Sequence, residues 1–583
     1  MYGFLISNQP IKAAFPCSEG RVPCLERQWD SNNLHIRQVT LDKFSGDKLF
    51  FDCDDYFLAT EGVLLNLAEL KQTYHTDDAA ALLVMLYEQS GETFFRVLRG
   101  SFSGIFYDKR KDLLLVFTDQ QGSKTLFYDT RNGGILVSSS LPWLAAQCGR
   151  TEWSEAGLLE LLTFGYSPSC RTVLDGVLRV GAGNYLRIEH DRIQELAYHR
   201  FTNRHCRHTT NETLRKTDEL FRQAVRRVTD KNTEYGYGQF IPLSGGLDSR
   251  MITRVAKETT SEPIRSFTYA ETGSLDEILA GQVAKAFGTE WTFQPLDGGD
   301  FLKRIDEAVL RSDMQLCYAG PAESYNALLR LPPEQTGIIP TGVGGDNLFI
   351  SLFHRTYRHY SYGDFSLSGC YYPEQNALIP ADYLNRYENK NIHSLYTRIF
   401  FCHNFGAPLA YQCEAESYSV FMDVDLMEYV LGIPERERSN YRFYDRWVMT
   451  FYPDATRILH NGHRIGRREP VIDLFGHSMP VLEVPRRALL YMLRKAGFSI
   501  VQKPDASKSP NPTEQWLSEN SGLRQCWDAY FAANIGLLDS MPRLQEHVRA
   551  QYENLQDCQQ RFHALTVLSA VRQLSASVKD MKV

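Results

Sequence analysis

At 583 residues, with 63 basic and 70 acidic side chains and a formal net charge of -7, the chain exceeds what one hydrophobic core organises and is no polycation. A hydrophobic fraction of 43% and a charged fraction of 23% supply sizeable cores and exclude a disordered chain. There is no Lys/Arg-rich block, so nucleic acid is not an expected partner. The start lacks a basic segment followed by a long apolar one, and no uncharged apolar run approaches a membrane span. The expected location is cytoplasmic, with no membrane partner. Twelve cysteines are scattered from Cys17 to Cys558 without a CxxC pair, which fits reduced thiols. Cys17 and Cys24 flank a loop-like stretch but have no nearby His at ligand spacing, so zinc is not expected there.

Residues 1–195 are expected to form one β-rich domain. Apolar runs at 1–6, 48–52, 56–60, 103–108, 113–119 and 133–139 alternate with turn residues. Two helical periodicities interrupt them, at 77–89 after an acidic start and at 154–166. A strand and turn signal at 179–188 leads towards the seam. From 210 to 583 the pattern changes to helices alternating with short strands, as a parallel sheet with crossover helices requires. The amphipathic run 212–229 precedes strand 238–243, a Gly-rich turn and helix 251–258. Strand 264–270 and helix 275–288 follow, then helix 322–331, strand 336–342 and a second Gly-rich turn at 343–346. After about residue 352 the sequence is helical, aromatic and Arg-rich, ending in the amphipathic run 565–578; residues 503–514 read as a loop.

The strongest chemical signal is Ser244-Gly245-Gly246-Leu247-Asp248-Ser249, between a buried strand and a helix. Adjacent glycines let the backbone approach an anion, while a helix N-terminus and two hydroxyls donate to phosphate oxygens. An Asp in such a loop would repel bare phosphate, and Mg²⁺ between the two resolves the conflict. The Gly-Lys-Ser/Thr ending of a Walker A loop is missing.

The SGGLDS segment resembles the pyrophosphate-binding loop of the N-type ATP pyrophosphatases, and its context resembles the glutamine-hydrolysing asparagine synthetase family. That resemblance implies ATP and Mg²⁺ as cofactors. It implies that a substrate carboxylate becomes an acyl-adenylate with release of pyrophosphate and is then taken by ammonia or an amine. It places Ser244, Gly245, Gly246, Asp248 and Ser249 on pyrophosphate, Asp248 also on Mg²⁺, and Leu243 and Phe267 against the adenine at the ends of parallel strands. Thr341-Gly342-Val343-Gly344-Gly345-Asp346-Asn347 looks like the family's second loop. Asp346 there would be the other metal ligand, and Asp248 and Asp346 would neutralise the departing pyrophosphate. Residues 416–423 resemble a third family segment, although Tyr418 and Val420 replace its Arg and Pro; an amphipathic helix start accounts for Phe421 and Met422 as well. Val343 and Asn347 stand where the family has acidic residues, which argues against free aspartate as substrate. A family lysine has no clear counterpart: Lys503, Lys508, Arg464, Arg467 and Arg468 are weak candidates in charged loops.

Residues 98–129 resemble the family's glutaminase domain through Gly100, Phe102, Asp119, Gly122, Leu126 and Tyr128. This implies an αββα fold of the N-terminal-nucleophile type, followed by a doubly wound parallel-sheet domain with a helical C-terminal part. Glutaminases of this kind need Cys directly after the initiator Met, because its free amine activates the thiol. Tyr2 stands there instead. The family's Asn-Gly-Glu segment reads Glu61-Gly62-Val63, and its Arg-Gly-Pro-Asp segment has no counterpart. Glutamine hydrolysis is therefore not expected, and structural support is the domain's expected role.

The partners implied are a small-molecule or peptide carboxylate and an amine donor or ammonia, with a separate glutaminase as one source; a homodimer is compatible with this. The stretches around SGGLDSR and 442–453 resemble amidotransferase-like proteins of surface polysaccharide synthesis. The alternatives are a peptide macrocyclase of the lasso-cyclase or β-lactam-synthetase type and an inactive nucleotide-binding scaffold.

Overall fold

The structure, a computed structural model, describes residues 2–350, 406–460, 464–465, 471–474, 477–480, 485, 509–554 and 558–579, apart from 17–19, 132–133, 168, 191, 203–206 and 439–440. The first part holds β1 (Gly3–Ser7), β2 (Cys24–Asp30), β3 (His35–Leu41), β4 (Phe50–Asp52), β5 (Tyr56–Leu64), α1 (Leu67–Thr73), α2 (Ala79–Ser90), β6 (Gly100–Asp108) and β7 (Leu113–Thr118). It continues with β8 (Phe127–Asp129), β9 (Leu136–Ser138), α3 (Leu141–Cys148), α4 (Glu155–Phe164), β10 (Val177–Arg179), β11 (Asn184–Glu189) and β12 (Arg192–Ala197). These strands make two six-stranded sheets, ordered β10-β8-β9-β1-β3-β2 and β12-β11-β7-β6-β5-β4. Phe4, Ile6, Ile36, Phe57, Ile105, Leu114 and Val116 interdigitate between them as a dry core. The outer face of the second sheet buries Leu82, Leu83 and Leu86 of α2, and that of the first packs on α3 and α4. The layers are thus αββα. Asp78 starts α2 as its acidic prelude suggests, its carboxylate accepting from the amides of Ala80 and Ala81.

The second part opens with α5 (Asn211–Glu234) and β13 (Gln239–Pro242), followed by α6 (Leu247–Thr259), β14 (Ile264–Ala270), α7 (Leu275–Phe287) and β15 (Glu290–Pro295). Then come α8 (Ile305–Arg311), α9 (Ala319–Leu328), β16 (Ile338–Thr341), α10 (Gly345–Ile350) and β17 (Glu416–Ser419). β13, β14 and β15 pair in parallel, as do β16 and β17, and a parallel bridge from Gly238 to Thr336 sets β13 beside β16. Alternation along β13 sends Ile241 towards α5 and α6 and Phe240 towards α9, so helices cover both faces. This doubly wound plan puts every βα turn at the same edge of the sheet.

One local reading is corrected. Phe421 and Met422 lie in one 3-10 turn, Val420–Met422, rather than at a helix start, and residues 416–419 before them form β17. The helix Val424–Leu431 begins only after Asp423, whose side chain caps it by accepting from the amides of Asp425 and Leu426. Pairing with β16 overrides the local helical pattern, because β17 is fully buried and its backbone needs the ladder. The C-terminal helices Ser521–Asn534, Pro542–Glu553 and Cys558–Lys579 pack on α3, α4 and α8, so the two parts share one apolar cluster.

Candidate active site

β13 ends at the sheet edge, with the Leu243 amide donating to the Phe267 carbonyl at 2.8 Å. Both side chains are buried: Leu243 packs on Ala280, Val283 and Ala284 of α7, and Phe267 packs on Tyr325 and Leu328 of α9. They therefore face helices on opposite sides of the sheet, and only their backbone reaches the edge. The 244–249 turn follows at once. Gly246 is the N-cap of α6 and has no side chain to cap it, which leaves first-turn amides for another acceptor. The Ser244 and Ser249 hydroxyls lie 3.0 Å apart, and the Ser244 amide donates to Ser249 Oγ at 3.0 Å. The Gly245 amide donates to Asp276 Oδ1 at 2.6 Å, a partner that the sequence pattern did not suggest.

The second Gly-rich turn meets the first. A methyl group on Gly345 would stand 2.3 Å from Asp248 Cγ, and one on Gly342 would stand 2.9 Å from Asp248 Cβ. Only glycine lets the Asp248 carboxylate lie on that backbone, one residue before Asp346. Gly344 takes a φ of 88° to turn the chain into α10. Thr341 Oγ1, at the end of β16, is buried and has no hydrogen-bond partner among the described residues. Val343 packs its side chain against the neighbouring apolar cluster, and its carbonyl accepts from Ser419 Oγ of β17. The side chains of Asp346 and Asn347 lie outside the described residues, as do Lys503, Lys508, Arg467 and Arg468; Arg464 is exposed.

Tyr444 is the residue the sequence did not single out. Its phenol donates to Asp248 Oδ1 at 2.6 Å. It sits on the helix Arg442–Phe451, where Trp447 stacks on Phe349 of α10 with ring centroids 5.2 Å apart and planes inclined by 7°. The helix thus braces both turns. The signal was the aromatic run 442–453, whose spacing reads as core.

Among the described residues no three His, Cys, Asp or Glu side chains gather as a ready ligand set. Mg²⁺ does not need one, since it binds through one or two carboxylates plus phosphate oxygens and water. The half-buried Asp248, the exposed Ser244 hydroxyl, the uncapped first turn of α6 and the orphan Thr341 hydroxyl are an oxygen and donor set that fits a magnesium-bound polyphosphate.

The Tyr2 ring stacks on Phe15 at 5.5 Å, and Phe15 meets Trp143 edge-on at 5.0 Å. Glu61 is buried, with Lys48 Nζ 3.5 Å away, and the same Nζ lies 3.1 Å from Glu416 of β17. Lys124 Nζ completes the cluster 2.7 Å from Glu416. Burial opposes charge on Lys48 and Glu416. It is outweighed: Glu61 and Glu416 raise Lys48, while Lys124 and Lys48 lower Glu416. Asp119 knits its own turn, accepting from the amides of Phe102, Gln121 and Ser123 at 3.1, 2.8 and 3.2 Å.

Two family models match this chain. One describes a glutamine amidotransferase domain and covers residues 29–199; the other describes asparagine synthase and covers 216–390. A glutamine-hydrolysing asparagine synthetase of Bacillus subtilis is 23% identical over 318 residues, 52% of this chain and 49% of that protein. Amidase chyE of Penicillium rubens is 25% identical over 356 residues, 54% of this chain and 50% of that one. A glutamine-hydrolysing asparagine synthetase of Lotus japonicus is 25% identical over 305 residues, 48% of this chain and 46% of that one. The chain spans about half the length of the curated relatives it matches.

Proposed function

This chain belongs to an asparagine synthetase-like family with an N-terminal glutamine amidotransferase domain, and from that premise we propose that it is an ATP-dependent, amide-forming ligase. The observation that carries this reading is the meeting of the 244–249 and 341–345 turns at Asp248, on the edge where a doubly wound sheet takes its ligands. Ser244, Gly246, Ser249 and Thr341 would hold the outer phosphates, and Asp248, with Asp346, would hold Mg²⁺. The ion would offset negative charge on the leaving pyrophosphate. A substrate carboxylate oxygen attacks the α-phosphorus, and the bond to the bridging oxygen breaks with its electron pair on pyrophosphate. An amine nitrogen then attacks the acyl carbon, AMP leaves with the bonding pair, and the nitrogen gives up a proton.

The amine comes from outside the chain in this reading. Tyr2 offers no thiol, and Glu61 is engaged by Lys48 at 3.5 Å. Val343 has no carboxylate to receive an amino acid's ammonium group, which favours a carboxylate other than free aspartate. A sugar or peptide carboxylate fits that requirement.

The test supplies ATP, Mg²⁺ and candidate carboxylates to the full chain, with ammonium or glutamine as donor. Release of pyrophosphate and AMP with ammonium, absent in Asp248→Ala and absent with glutamine, is the expected result. ADP and phosphate as products would refute adenylation, and turnover on glutamine would refute an external amine.

A further inference from the structure

Arg250, the residue after the 244–249 turn, is 0% exposed. Among the described residues no carboxylate pairs with it. Nη1 donates to the carbonyls of Ala455 at 2.8 Å and Ile458 at 2.9 Å, and Nη2 donates to those of Gly245 at 3.2 Å and Leu459 at 2.9 Å. Nε is buried without a partner among the described residues. Burial pushes the guanidinium down to about 10, still protonated at neutral pH. Buried guanidinium groups normally have an anionic partner, because carbonyl dipoles offset only part of the lost hydration.

Where the charge sits matters. The 245–246 peptide is trans and planar, so a Gly245 carbonyl fixed towards Arg250 turns the Gly246 N–H the opposite way. That N–H lies on the exposed side, where it donates to Ser244 Oγ at 3.2 Å. A cation at the carbonyl end also polarises the peptide and strengthens its N–H as a donor. The other arms of the fork hold 455–459, which follows the helix bearing Tyr444. One segment, 442–459, therefore positions Asp248 through a phenol and Gly245 through a guanidinium.

We propose that Arg250 is a positioning residue for the diphosphate taken by this turn: it fixes the 245–246 peptide with its N–H towards the ligand, and the bound diphosphate supplies the counter-charge that the buried guanidinium lacks. This rests on the phosphate-site reading above. It adds that anion binding and the 455–459 segment are coupled through one side chain.

The probe is inorganic pyrophosphate with Mg²⁺, titrated calorimetrically into the full chain. Arg250→Gln should weaken binding about a hundredfold, and Arg250→Lys, which keeps the charge but not the fork, about tenfold. A merely structural role would lower the unfolding temperature of both variants while leaving the affinity of the folded fraction unchanged. Folded Arg250→Gln with wild-type affinity would overturn the proposal. Should that variant not fold, amide hydrogen exchange on the wild type decides. Pyrophosphate should slow exchange at 455–459 together with 244–249, and protection confined to 244–249 would overturn it equally. If the wild type itself binds no pyrophosphate, the phosphate-site reading fails, and the inference falls with it.

Discussion

Tyr444 Oη stands 2.6 Å from Asp248 Oδ1, joining the helix Arg442–Phe451 to the first turn of α6 across 196 positions of sequence. The phenol donates to Oδ1 and so fixes the carboxylate's rotamer. Tyr444→Phe keeps the ring packed on Phe349, whose centroid is 5.0 Å away, and removes only the hydroxyl. ATP-dependent pyrophosphate release should fall about tenfold, in line with loss of one hydrogen bond to a charged group, with thermal unfolding little changed. Wild-type turnover in this variant would mean that Asp248 needs no such restraint.

Gly345→Ala tests the contact between the two turns. Its new methyl would sit 2.3 Å from Asp248 Cγ, far inside van der Waals contact, and Asp248 is braced by Tyr444 against moving aside. Nucleotide-dependent activity should be lost to the level of Asp248→Ala. Gly273→Ala is the control for removing a glycine, because a methyl there meets nothing within 4 Å, although its φ of 80° carries some strain. Full activity in Gly345→Ala would show that the turns part in the working enzyme.

Most of this frame was legible in the sequence where a local pattern had one physical meaning. Strand 264–270 matched β14 residue for residue, since β-branched and aromatic residues between two turn signals leave little choice. Helix 77–89 was legible from its acidic cap. β2 and β12 were not, because Glu26, Arg27 and Gln28, like Arg192, Gln194 and Glu195, are polar on an edge strand and carry no apolar alternation. At the site, the two Gly-rich turns could be seen, but not what surrounds them. Tyr444, Asp276 and Arg250 reach the first turn from other segments or from beneath it, and nothing in their local spacing marks a long-range partner.

The cluster of Lys48, Lys124, Glu61 and Glu416 ties the two domains together out of water, with Lys48 and both carboxylates 1% exposed. Lys48→Met leaves Glu61 without its cation and Glu416 with one instead of two. Loss of one member of a buried pair costs about 3–5 kcal/mol, and the unfolding midpoint in urea should fall accordingly. Adding Glu61→Gln should recover part of that loss, since the stranded charge is then gone. An unchanged midpoint in Lys48→Met would mean that the cluster contributes no net stability.

His199 makes stability depend on acidity. It is buried, its Nε2 has no hydrogen-bond partner among the described residues, and burial together with Arg96, Arg99 and Arg200 pushes its pKa down to about 4. Glu428 is 3.7 Å away and half exposed, too distant and too wet to hold an imidazolium against those terms. The unfolded chain takes up this proton near pH 6.5, whereas the folded chain resists it until about 4. The full contribution is therefore present above pH 6.5 and declines as the pH falls from there to about 4, by roughly 3 kcal/mol over that window. His199→Gln cannot titrate, so its loss of stability between pH 7 and pH 5 should be smaller than that of the wild type by about 1–2 kcal/mol. Urea unfolding of both proteins at the two pH values measures this difference, and parallel losses would show that His199 titrates alike in the folded and unfolded chains.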